Sequence, residues 1–454
     1  MPTTSRWRST RSISPPARTR SPCWTGAVWR DRTDGVHSEG DSVTIDVDAT
    51  SLRPLDQRRS LYPALGDGHA YFDGPGGSQA PLPVIHAVDR AMHEAMSNEH
   101  GAFAASRRSD ATVEAARRAV ADLVGADPAG VVLGSSMTAL TFRLADAFAQ
   151  SWQPGDEIVV SRLDHDANVR PWVIHAERAG ATVRWADVDP VTCELPVEQY
   201  DDLIGERTRL VAVTAASNAV GTRPDVRGVA DRAHAAGAVV YVDGVHATPH
   251  GPVDMAELGA DLYACSSYKF FGPHLGCVAA DPAVLEALRP AKLVPASDDV
   301  PARFEWGTPP FELYAGLDAA VDHLADLTAA RGTRRARLLV AAHAIEAYCG
   351  ELFATLLEGL RSMPGVTVYG AAARRTPTLA FRIDGWTARP VAEALADERI
   401  CVWSGNYYAY ELMRLLDLDD TGGAVRIGLL HYNTAAEVDR ALTAIEQLTT
   451  RSPA

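Results

Sequence analysis

The chain has 454 residues, 46% of them hydrophobic and 22% charged, a composition that excludes disorder throughout and fits a folded globular protein. A formal charge of −15 argues against a nucleic-acid or anionic-membrane surface as its main business. At roughly 100–200 residues per domain, the length fits two or three domains, or one large core with a smaller layer.

Six cysteines (Cys23, Cys193, Cys265, Cys277, Cys349, Cys401) are scattered without a C-x-x-C pair, which reads as reduced thiols and a cytoplasmic protein. No eighteen consecutive residues are apolar and free of charge, so no membrane span is expected.

Residues 1–40 carry seven arginines against three acidic residues, the first acid being Asp31. Ser, Thr and Pro fill the rest, and the absence of an apolar h-region argues against a secretory signal. An organelle transit peptide shares this composition. A disordered tail, or sequence upstream of the true start, is the simpler expectation for residues 1–45. Residues 46–70 are expected to pack on a small C-terminal domain.

From residue 70 the pattern is strand, Gly-rich turn and amphipathic helix, repeated. Residues 131–133 read as a strand, followed by a Gly-Ser-Ser turn and a helix with Leu140, Leu144, Ala147 and Phe148 on one face. Residues 157–160, 210–213, 238–242 and 261–264 are short apolar runs, as strands buried on both faces of a mostly parallel sheet require. Val226, Val229, Ala230 and Ala233 have the spacing of a crossover helix. This alternation predicts an α/β fold, with a large domain over 71–310. After 310 a long helical stretch to about 353 is followed by strand-like VTVYG and TLAFRI, a helix at PVAEALADE and a last helix near 436–449. These predict a smaller α+β domain over 311–454.

Asp243 follows an apolar strand, and Lys269 follows the next one, 26 residues on. Ligands of open α/β sheets bind at the carboxyl ends of the strands. A lysine that forms a Schiff base, beside a carboxylate that keeps a pyridine nitrogen protonated, suits pyridoxal 5′-phosphate (PLP). A turn-capping Asp243 and a solvated Lys269 satisfy the same spacing. His246 and His250 lie four apart, but the Thr-Pro between them breaks a helix face, so no metal site is expected.

Ordered segments through residues 71–440 resemble the class V aminotransferases of the cysteine desulfurase-like type, PLP enzymes of fold type I. YFDGPGGSQAP (71–81) resembles the opening YLDNAATSQKP, and GDEIVVSRLDHDANVRPW (155–172) is similar to GDEIVVTELEHHANVVPW. SNAVGT (217–222), VDGVHATPH (242–250) and SSYKFFGP (266–273) follow in order. The resemblance implies PLP as cofactor and Lys269 as Schiff-base lysine and proton carrier. It implies Asp243 as pyridinium partner, His165 as the ring that stacks on the cofactor, and His246 and Asn218 near the phenolic oxygen, Asn218 also near substrate. Phosphate ligands implied are Ser135, Ser136, Met137, Ser266 and Tyr268. Thr308 (in RFEWGTP) is implied to reach the phosphate of a neighbouring subunit, hence a homodimer with shared active sites. Arg426 (in AVRIGLLHYNTAAEVD) is implied as the clamp on the substrate α-carboxylate, and His100 as a residue bordering its pocket.

One segment departs from the family. Desulfurases carry a thiol on a loop reading RTGHHCAQP, where this chain has WSGNYYAYE (403–411). Tyr408 stands in place of the cysteine and Trp403 in place of the arginine, while Cys401 falls about seven residues early. A phenol forms no persulfide. What remains is PLP chemistry at an amino acid. The first expectation is a C–S or β-lyase, with desulfurase-like, epimerase or aminotransferase activity as alternatives. A PLP-binding protein without turnover is the alternative of another class. The cluster Trp403, Asn406, Tyr407, Tyr408 and Tyr410 fits an aromatic or extended apolar substrate, a phenol acting as acid, or simple packing.

Overall fold

A computed structural model describes residues 50–451; the expectations for residues 1–45, and Cys23, lie outside the described residues. After a two-residue strand β1 (Ala70–Tyr71), seven strands make the main sheet: β2 (Val131–Gly134), β3 (Glu157–Ser161), β4 (Thr182–Ala186), β5 (Thr208–Thr214), β6 (Val239–Asp243), β7 (Leu262–Ser266) and β8 (Gly276–Ala280). Their spatial order is β2-β8-β7-β6-β5-β3-β4. The pairs β7–β6, β6–β5, β5–β3 and β3–β4 are parallel, while β8 runs antiparallel to both its neighbours. The expected mostly parallel sheet is present, with β8 as its exception.

Why apolar runs make these strands is visible in β5. Successive side chains point to opposite faces, so Val211 and Val213 enter one buried cluster while Leu210 and Ala212 enter the other. Helices Ala104–Val124, Val226–Ala235 and Phe311–Ala325 supply the first cluster, and Met137–Ala149 and Arg170–Ala179 the second. Leu140, Leu144, Ala147 and Phe148 are buried as the helical period requires, and so are Val226, Val229, Ala230 and Ala233. Each of the leucines, valines and Phe148 among them contributes about 1.5–3 kcal/mol by leaving water.

The second half adds β9 (Val366–Tyr369), β10 (Thr378–Ile383), β11 (Ile400–Cys401), β12 (Trp403–Gly405) and β13 (Ala424–Gly428). An antiparallel four-stranded sheet runs in the order β12-β13-β10-β9, and its core, with Leu379, Phe381, Val425 and Ile427, is a third cluster. The stretch expected as one helix from 310 to about 353 is two, Phe311–Ala325 and Arg334–Ser362. Gly332 lies in the break, just before the second helix, at φ 120°, a conformation a right-handed helix cannot contain. The 29-residue helix is also long and apolar enough, by length and composition, to cross a bilayer. Charges interrupt its sequence, so it holds no unbroken apolar run of spanning length. Here Leu338, Ala341, Ile345, Cys349, Phe353, Leu356 and Leu360 are buried at helical spacing.

The first described residues pack against the later part of the chain: Leu52 bridges Thr328, Arg59 pairs with Glu437 at 3.0 Å, and β1 pairs in parallel with β11. β1 then leads into the segment 72–78, which runs beside Lys269.

Candidate active site

The carboxyl ends of β5, β6 and β7 bring Thr214, Asp243 and Ala264 into lateral register. Asp243 is the last residue of its strand and is buried. Its Oδ1 accepts from the Val245 N–H at 2.9 Å. Burial pushes the carboxyl up to about 6, against the pull of that hydrogen bond and of Lys269. Lys269 ends the 3-10 turn Ser267–Lys269 that follows β7. Its amine donates to the carbonyl of Pro75. Burial, then the nearby Arg426 guanidinium, depress the amine to about 7, while Asp243 opposes them. An amine near neutrality in a dry site is suited to act as nucleophile and base.

Arg426 sits in β13, buried, with Nη1 donating to the Asn218 carbonyl at 2.8 Å and its guanidinium 4.4 Å from the centre of the Tyr407 ring. Its Nε, Asn218 Oδ1 and Asp73 Oδ1 are buried without a hydrogen-bond partner. Buried polar atoms are rarely left so, and their convergence marks a place built for a polar ligand. Asn218 donates its Nδ2 to the Tyr407 carbonyl at 2.8 Å.

His165 caps the turn Asp166–Asn168, its Nδ1 accepting from the Ala167 N–H at 3.0 Å. Burial, Lys269 and Arg426 push the ring down to about 3, so it is neutral. Behind it Asp164, pushed up to about 8 by burial, accepts from Ser161 and, at 2.7 Å, from Asn168 Nδ2. His246 is buried, 3.0 Å from Thr376 Oγ1, and edge-on to His250 with ring centres 4.9 Å apart. Burial holds both rings below the usual histidine range. Among the described residues no group of three or more His, Cys, Asp or Glu side chains is arranged to hold a metal.

Ser136 caps helix Met137–Ala149, its hydroxyl accepting from the Ala139 N–H at 3.1 Å, and Ser135 beside it is exposed. β8 runs hard against this helix start: a Cβ on Gly276 would lie 2.1 Å from the Met137 nitrogen. Ser266 is buried at the end of β7, paired with Gly276. Tyr268 stacks on His274 at 4.8 Å.

Two candidates, Thr308 and His100, stand apart from this cluster, and Tyr408 lies at its edge with its ring stacked on His165. Thr308 lies exposed on the segment that carries Trp306. Tyr408 is 70% exposed at the site's edge. His100 is exposed, its loop tied back to helix Ala104–Val124 by Gly101 N–H to Ser106 Oγ at 2.6 Å and His100 N–H to Asp110 Oδ1 at 2.9 Å. Asp73 and Thr376 were missed by the sequence reading; Asp73 was legible as the lone acid of YFDGPGG, whereas nothing local marked Thr376.

The Aminotransferase class-V profile matches residues 70–441. The chain belongs to the class-V aminotransferase family. An uncharacterized protein of Mycobacterium tuberculosis is 40% identical across 86% of this chain and 98% of its own. A cysteine desulfurase of Dickeya dadantii is 31% identical across 87% and 97%. Among solved structures, a cysteine desulfurase of Escherichia coli superposes with a TM-score of 0.77 at 28% identity, covering 87% of this chain and 98% of the other. An apo cysteine desulfurase of Thermococcus onnurineus gives 0.79 at 26%, covering 88% and 99%.

Class-V aminotransferases are PLP-dependent enzymes of fold type I acting on amino acids, and the residues of this member fit that cofactor. A buried acid and a buried amine occupy neighbouring strand ends. The start of a 13-residue helix, flanked by serines, offers the free N–H groups that a phosphate requires.

Proposed function

We propose that this class-V aminotransferase is a C–S or β-lyase acting on a β-substituted amino acid. The observation that carries this reading is residue 408. The segment 403–411 corresponds, in our reading, to the desulfurase loop that carries a nucleophilic thiol, and it contains no cysteine. Cys401, half-buried on β11, has its thiol pushed up to about 11 by burial and then by Asp73, a poor nucleophile at neutral pH.

We read Lys269, Asp243, His165, His246, Asn218, Ser135, Ser136, Met137, Ser266 and Tyr268 as the residues that hold PLP. When bound, PLP supplies an electron sink for the pair left at Cα. Arg426 takes the α-carboxylate through its unpartnered edge and fixes the Cα–H bond relative to Lys269. The Lys269 amine, uncharged above about pH 7, removes that proton. The Cβ–S bond then breaks with its electron pair on sulfur, and the Tyr408 hydroxyl donates a proton to the departing thiolate. The proton that Lys269 took from Cα would then restore the Tyr408 hydroxyl through solvent, and with water the overall products are the thiol, pyruvate and ammonium. Neutral His165 adds no further positive charge beside Arg426 and Lys269.

Thr308, exposed in one chain, fits a contact with a second copy, so the enzyme is read as a cytoplasmic homodimer with 71–310 as its cofactor-binding domain and 311–454, joined by 46–70, as its small domain. The deciding experiment incubates the holoenzyme with L-cysteine and a reductant and identifies products by mass spectrometry. Pyruvate with sulfide supports the lyase; alanine with sulfide overturns it in favour of desulfuration.

A further inference from the structure

We propose that Trp403 and Tyr408 form the walls of a side-chain subsite that selects amino acids ending, beyond Cβ, in a flat aromatic or heteroaromatic group. The inference rests on the reading that this site binds amino acids, and it specifies their class.

The argument starts from register. Trp403 lies directly opposite Arg426 in the antiparallel pair β12–β13, so the two side chains stand on one face of the sheet. Arg426 is the carboxylate clamp, which places the indole beside the bound amino acid. Its position is encoded on the other side as well. A Cβ on Gly76 would lie 2.3 Å from Trp403 Nε1, so only glycine there admits the indole. The preceding residue, Pro75, offers the carbonyl that receives the Lys269 amine. Trp403 therefore sits one residue from the reacting lysine and opposite the reacting arginine, yet it remains 52% exposed.

Tyr408, five residues on in the same segment, supplies the second wall, 70% exposed with its ring stacked on His165. Tyr410 of the same segment is spoken for, lying 5.8 Å from Arg170 and 5.5 Å from Arg414. Two large rings left open beside the Arg426 carboxylate clamp offer flat apolar surface that a flat side chain can cover. A small side chain such as that of cysteine leaves both uncovered.

The test titrates PLP-loaded full-length enzyme with L-phenylalanine and L-alanine, neither of which has a leaving group at Cβ, and follows the change in visible absorbance. The expected result is a Kd for L-phenylalanine at least ~10-fold below that for L-alanine. Trp403→Ala should shrink the ratio to under ~3-fold, and Trp403→Phe, which keeps a ring, should restore most of it. Equal Kd values in wild type, or a preference unchanged in Trp403→Ala, would overturn the subsite while leaving the amino-acid reading intact. Binding of neither probe would remove both.

Discussion

The rings of Tyr408 and His165 lie 5.4 Å apart, centre to centre, inclined by 27°. Tyr407 and Tyr408 both have positive φ, 54° and 58°, a conformation that costs a non-glycine residue about 1–3 kcal/mol when held at a functional site. It is held here from several directions. The Tyr407 hydroxyl donates to the Ala424 carbonyl, the Asp166 N–H donates to the Tyr408 carbonyl at 2.7 Å, and Asn406 Oδ1 accepts from the Tyr408 N–H at 3.1 Å. Such a segment presents a fixed phenol, unlike a loop that must carry a persulfide away. Tyr408→Phe keeps the stack and loses the proton, so kcat for β-elimination should fall ~10²-fold with KM within about twofold. Tyr408→Ala loses both and should raise KM as well; steady-state kinetics on the two variants separates the roles.

Arg426 should tolerate no other cation. Its Nη1 is committed to the Asn218 carbonyl and its flat face to Tyr407, which leaves one edge for a carboxylate. Lysine has neither the fork nor the planar face. Arg426→Lys is expected to raise KM by ~10²-fold with a smaller loss in kcat, measured against an amino acid and its amine analogue. The amine, which lacks the carboxylate, should be indifferent to the change.

Lys269 makes the cofactor-free protein sensitive to pH in a defined direction. Its amine is depressed to about 7 from an ordinary 10.5. Between those values the unfolded chain carries a proton that the fold does not. Folding is therefore opposed most at and below pH 7, and the opposition fades as pH rises toward 10.5, at up to ~1.4 kcal/mol per pH unit. Lys269→Met removes the effect. In urea unfolding of the cofactor-free proteins, the variant should be the more stable at pH 7 and the advantage should shrink at pH 8 and again at pH 9.

Much of this was legible before the fold was known, and the reason differs from part to part. The inner strands of the main sheet are largely buried on both faces, so runs such as LVAV announce themselves, whereas the edge strand β4, Thr182–Ala186, is mostly part-exposed and mixed in composition. β8, Gly276–Ala280, escaped because GCVAA carries little bulk. The two-residue strands β1 and β11 are defined by each other, 330 residues apart in the chain, and no local pattern reports such a pairing. Asp243 and Lys269 were found because chemistry and strand ends coincide there. Trp403's relation to Arg426 was not, since it depends on the register of β12 against β13. His100 is exposed in one chain, and a motif carries no information about where its loop is tied, here to Ser106 and Asp110.

The loop that carries Tyr408 is anchored by Glu411, and removing that anchor should be felt at the site. Glu411 is buried on helix Tyr410–Leu415, with Oε1 2.6 Å from Arg170 and Oε2 3.2 Å from Arg162. Arg170 also holds Asp166 at 2.9 Å, the residue whose N–H fixes the Tyr408 carbonyl. Asp166 and Glu411 thus share one arginine, and through it the His165 turn and the Tyr408 loop become a single unit. The arginines are about one-third exposed, so solvent discounts the pairing, and the cost of Glu411→Gln should be about 1–2 kcal/mol rather than that of a fully buried bridge. Most of that cost should be local. Amide exchange across 406–415 should accelerate at least ~10-fold while the main-sheet strands stay protected. Uniform acceleration throughout the chain would show that Glu411 supports the whole fold and not this loop.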